Sequence, residues 1–138
     1  MDFAGTYKTP FSFRIVHLEG NMMNVEEAPK TLDLTDGYSI QRDLDKVLIN
    51  VERSLTDPES ETPFVSVKAE VLLELLEGMC EPAVSDEEIV RGFVSYARTD
   101  VQMKKLFSCL SHAISSITEL VNDTPLITPP MPLYETMD

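Results

Sequence analysis

The sequence predicts an α+β domain dominated by helix: an N-terminal β-hairpin, a compact bundle of about four helices and an extended proline-rich C-terminal tail. Three observations predict it. A Gly20-Asn21 pair sits between two short apolar stretches, the apolar residues from Ser39 onward fall at steps of three and four, and prolines punctuate the chain from Pro125 to the end at Asp138. At 138 residues the chain suits one domain, assigned to residues 1–123, with 124–138 as the tail. Its 43% hydrophobic and 25% charged residues are those of an ordinary folding chain.

The hairpin is expected over Phe11 to Val25, because Gly-Asn is a two-residue turn signal. That register sets Val16 opposite Val25, His17 opposite Asn24 and Leu18 opposite Met23. Phe11, Phe13 and Ile15 lie on odd positions, whereas Val16 and Leu18 lie on even ones. The strand therefore either carries a bulge or is covered on both faces.

The first helix is predicted from Ser39, as N-cap, to Leu55, with Ile40, Leu44, Val47, Leu48, Val51 and Leu55 on one stripe. Thr56-Asp57-Pro58 would end it, and Glu59 to Pro63 would form an acidic loop. A second helix is predicted over Ser66 to Glu77, apolar at Val67, Val71, Leu72, Leu75 and Leu76, with Gly78 as its cap. A third begins at Ser85, which forms a capping box with Glu88, and shows Ile89, Val90, Phe93, Val94 and Ala97. The fourth, Asp100 to Asn122, carries Met103, Phe107, Leu110, Ile114, Ile117 and Val121, widened by Leu106, Ala113 and Leu120. A stripe of that width points to a core and not to a coiled-coil seam; an oligomer interface is the other reading.

The net charge of −13 is carried by both halves of the chain. Such a field repels phosphate backbones and anionic lipid, so neither nucleic acid nor membrane is an expected partner, while a basic protein is. No apolar run is long enough to span a bilayer, and the first residues lack the pattern of a secretory signal. Cys80 and Cys109 sit alone inside helical patterns, as small buried hydrophobes would, which suits a reducing compartment, cytoplasmic or nuclear.

Chemistry is not written in recognisable form. Neither His17 nor His112 lies in a catalytic motif, and the phosphate-cradling glycine patterns of ATP, GTP and NAD sites do not occur. Asp33-Leu34-Thr35-Asp36-Gly37 fails as a calcium loop, because aligning Gly37 with the required glycine puts Leu32 and Leu34 at ligand positions; it reads as a turn. No catalytic, cofactor or metal residue is assigned.

The tail carries a P-x-x-P spacing at Pro129 and Pro132, with Leu126, Ile127, Met131, Leu133 and Tyr134 as apolar anchors for a partner. The alternative is that it folds back over its own domain. Four Thr-Pro dipeptides, at Thr9, Thr62, Thr124 and Thr128, suit a proline-directed kinase, or simply mark element boundaries. The function expected is a non-catalytic protein-protein interaction protein, an acidic adaptor or subunit of a larger intracellular or viral assembly. A small acidic chaperone of the secretion type is the alternative, and an enzyme with an unrecognised site the more remote one.

Overall fold

Alternation, not helical period, governs the middle of the chain. The computed structural model describes residues 3–8, 11–20, 32–43, 46–56, 63–78, 83–122 and 125–133. After a single helical turn, α1 (Phe3–Thr6), come strands β1 (Ser12–Gly20), β2 (Asp33–Asp43), β3 (Lys46–Thr56) and β4 (Pro63–Glu74). They form one antiparallel sheet in the order β1-β4-β3-β2.

In β3 the odd residues Val47, Ile49, Val51, Arg53 and Leu55 are buried, while Leu48, Asn50 and Glu52 are half-exposed. Their partners across the β4 ladder are Leu73, Val71, Ala69, Val67 and Val65, all buried too. Side chains two apart share a face of a pleated strand, so this register gathers every one of these groups on one side.

That inner face is covered by α2 (Asp86–Thr99) and α3 (Val101–Asn122). Ser85 caps α2 by accepting from the Glu88 N–H at 3.2 Å, and Asp86, Glu87 and Glu88 complement the dipole of the first turn. Asp100 ends one helix and starts the next. Its own N–H reaches the Tyr96 carbonyl at 2.9 Å, and its carboxylate accepts from the Met103 N–H at 2.9 Å. The two helices bury Ile89, Val90, Phe93, Ala97, Met103, Leu106, Phe107, Leu110 and Ile114 against the sheet.

The helix-dominated bundle predicted above is thus overturned: the described residues hold a four-stranded sheet and two long helices. The segment predicted as the first helix, Ser39 to Leu55, holds the end of β2 and nearly all of β3; the segment predicted as the second, Ser66 to Glu77, is largely β4. The third and fourth helices are present as α2 and α3. Gly78 caps no helix, but at φ +83° it takes the left-handed turn after β4, where a side chain would be strained.

The β1 strand pairs with β4, and the predicted second hairpin arm, Asn21 to Val25, lies outside the described residues. The face conflict noted in β1 is resolved by a bulge, a register shift between Ile15 and His17 that leaves His17 opposite Lys68. Cys109 is exposed rather than buried, and Cys80 lies outside the described residues.

The stripe of α3 is fully buried as far as Ile114 and still packs partly against the core at Ile117, whereas Leu120 is 86% exposed. Leu110→Ala should therefore cost about 2–5 kcal/mol in denaturant melts, independent of protein concentration. Leu120→Ala should stay within about 0.5 kcal/mol of the parent.

Candidate functional site: a buried arginine that holds the C-terminal segment

The inner face of the sheet contains one group that alternation alone would not place there. Arg53 is opposite Asp36 in the β2–β3 register, and both side chains are fully buried. The guanidinium meets the carboxylate in bidentate fashion, Nε to Oδ1 at 2.7 Å and a terminal nitrogen to Oδ2 at 2.9 Å. The Phe107 ring of α3 lies 5.6 Å beneath the guanidinium carbon, close enough for a cation–π contribution.

An arginine carries five N–H donors, and Asp36 takes two of them. Residues 125–133 take the other three. Arg53 donates to the Thr128 hydroxyl at 3.2 Å, to the Pro129 carbonyl, and to the Met131 carbonyl at 2.7 Å. The segment is tied further by Ser111, whose hydroxyl donates to the Thr128 carbonyl at 2.6 Å, and by Arg98, which donates to the Pro132 carbonyl. The Leu126 N–H donates to the Thr118 hydroxyl at 2.8 Å, and the Leu133 N–H to Asp36 at 3.1 Å.

The donor pattern matches the sequence of the segment. Pro129, Pro130 and Pro132 have no N–H, so this stretch of main chain offers mainly acceptors, and from Thr128 to Pro132 its carbonyls meet the donors of Arg53, Arg98 and Ser111. The first N–H after the last of these prolines, that of Leu133, meets the Asp36 carboxylate.

Tyr38 borders the ion pair. Its ring packs edge-on against Phe93 at 6.3 Å, and Phe93 in turn lies 6.4 Å from Phe107. The Tyr38 hydroxyl is buried without a hydrogen-bond partner among the described residues. Burial first, then the negative charge of Asp36, push its ionisation far above the usual tyrosine range, against the opposing pull of Arg53 and Arg98.

The opposite face of the sheet is polar. There Glu52 accepts from the Ser66 hydroxyl at 2.9 Å, and a shallow groove of about 450 Å³ lies over Gly37, rimmed by Val16, Ser39, Asn50, Glu52 and Lys68. On β1, which has no outer neighbour among the described strands, Ile15, Val16 and Leu18 are each between 39% and 44% exposed.

Among the tail residues singled out in the sequence, Leu126 packs partly against the core and Leu133 is half-buried, whereas Ile127 and Met131 face solvent. Tyr134 lies outside the described residues, as do Thr9, Thr62 and Thr124. Thr128 is buried at Arg53. His17 and His112 are both exposed. The groups missed by sequence reasoning are Asp36, Arg53, Arg98 and Ser111; only the pairing of β2 with β3 could have exposed the first two.

No protein-family model matches the chain, and no curated protein matches its sequence. The fold is similar to that of a SecB-like chaperone from Mycobacterium tuberculosis, solved in complex with a ChAD peptide from the HigA1 antitoxin. The TM-score is 0.59 at 15% identity, over 87% of this chain and 84% of that one. A protein of unknown function from Streptococcus agalactiae aligns with a TM-score of 0.43 at 13% identity, over 89% of this chain and 97% of that one. The likeness to the Mycobacterium tuberculosis chaperone is one of fold.

Removing one half of the ion pair strands the other in the interior. Arg53→Met and Asp36→Leu should each cost about 3–5 kcal/mol in urea melts, and the double variant should be less destabilised than the sum of the two. Tyr38 gives a pH signature. Because its folded ionisation is raised, its contribution is complete below about pH 10, the unfolded value, and is lost as pH rises beyond it. Tyr38→Phe should flatten that alkaline loss and leave stability at neutral pH within about 1 kcal/mol of the parent.

Proposed function

We propose that the chain is a non-catalytic binding protein of the chaperone class, which captures extended segments of other proteins along the edge of its sheet. The observation that carries this reading is the β1 strand. It combines an edge without a described neighbour with three exposed branched side chains, Ile15, Val16 and Leu18. An extended segment can add to such an edge by main-chain hydrogen bonds while its apolar side chains cover those three. The bulge at Ile15–His17 twists the edge and opposes pairing between copies of the sheet, so that the edge suits a flexible segment better than another flat strand.

Two features support the reading. The fold is that of a chaperone seen with a peptide from another protein. The charge of −13 favours encounter with basic segments and disfavours acidic ones. A second reading rests on Ile127 and Met131, which face solvent from a main chain already fixed at the Thr128 and Met131 carbonyls. They would serve as anchors for a folded partner, the adaptor role, with little further ordering cost.

The test is capture of a chemically unfolded, basic polypeptide on dilution, followed by light scattering and by size-exclusion chromatography. The parent chain should suppress aggregation at near-equimolar ratio. Val16→Asp and Leu18→Asp should weaken that suppression by about tenfold, roughly 1.4 kcal/mol, with melting temperature unchanged. Absence of suppression by the parent, or equal suppression by both variants, contradicts the reading.

A further inference from the structure

Released from the tail, Arg53 would keep two partners on Asp36 and lose three, because the acceptors at Thr128, Pro129 and Met131 all belong to residues 125–133. With the tail gone those three donors would face water, and a segment that covers them again must present acceptors at the same spacing or leave charged donors buried and unpaired. Of the seven hydrogen bonds that tie the segment to the body among the described residues, six involve its main chain and one the Thr128 hydroxyl. The side chains of Ile127 and Met131 point to solvent and add nothing to recognition.

We propose that Asp36, Arg53, Arg98 and Ser111 form a second peptide site, distinct from the β1 edge, which reads the main chain of an extended Thr-Pro-Pro-x-Pro segment. Residues 125–133 occupy it in cis, and an equivalent proline-punctuated segment of a partner protein enters when the tail leaves. The chemistry selects this class of ligand. Prolines remove N–H groups that would face the guanidinium donors of Arg53 and Arg98, and they hold the chain extended before binding. The first N–H beyond the prolines must then fall on Asp36, which fixes direction and register. Tail and partner compete for one set of donors, so the tail sets the threshold for entry.

The experiment inserts a protease site between Asp123 and Thr124 of the full chain, folds the protein, confirms an unchanged melt, and cuts it. Binding of labelled peptides is then followed by anisotropy. Three peptides are used: the natural 124–133 sequence, a version with Ile127, Met131 and Leu133 replaced by alanine, and a version with Pro129, Pro130 and Pro132 replaced by alanine. The cut chain should bind the first two within about tenfold of each other and the third at least about tenfold more weakly, while the uncut chain binds none of them. Binding of the natural sequence alone would make the segment a self-seal and overturn the proposal. Equal binding by cut and uncut chains, or none by the cut chain, overturns it as well. Each of these outcomes leaves the edge-capture assay on β1 untouched, so the two readings fail separately.

Discussion

Arg53 has five N–H donors, and the fold supplies an acceptor for each of them. Burying an isolated guanidinium would cost far more than the whole domain's stability margin, so every feature that touches it is constrained by the need to satisfy it. The β2–β3 register is one such feature, because a slip of a single residue would carry Asp36 to the polar face and leave Arg53 unpaired. The path of residues 125–133 is another. The tail supplies three of the five acceptors, so the domain that ends at α3 is not electrostatically complete without it.

This coupling explains why the tail is neither a free appendage nor simple packing. Leu126 lies against the core as an apolar anchor, but the rest of the segment is held through its main chain by Arg53, Arg98, Ser111 and Asp36. Phe107 closes the site from below, and its contacts with Phe93 and then Tyr38 tie the ion pair to both helices. The outer face and the β1 edge remain available for other contacts, since none of these interactions draws on them.

The two long helices were legible because their signals are local: a capping box at Ser85, apolar residues at helical spacing, and a polar opposite face. The strands were not, for a reason that Arg53 itself supplies. The residues Val47, Ile49, Val51 and Leu55 alternate cleanly, but a charged residue at position 53 breaks the alternation, and Leu44, Leu48 and Leu72 add apolar residues at helical spacing. In β4, valines at 65, 67 and 71 carry the β-branched preference that should have outweighed the accidental three-four spacing. Asp36 looked like a turn residue beside Gly37, and its partner lies 17 residues away, so the pair exists only once the strands are paired. The tail's proline spacing was visible in the sequence, whereas the donors that recognise it were scattered over β3, α2 and α3.

The most direct measurement is native-state amide hydrogen exchange at Leu133, whose N–H donates to Asp36, with Leu126 and Val51 as internal references. If Arg53 and Asp36 hold the tail as a separable segment, Leu133 and Leu126 should exchange together. Both should be protected at least about 100-fold over an unstructured chain, yet less than Val51 in the central strand. Exchange of Leu133 and Leu126 at the unprotected rate would show that the buried arginine does not hold the tail, and would contradict the dependence of the fold on that interaction.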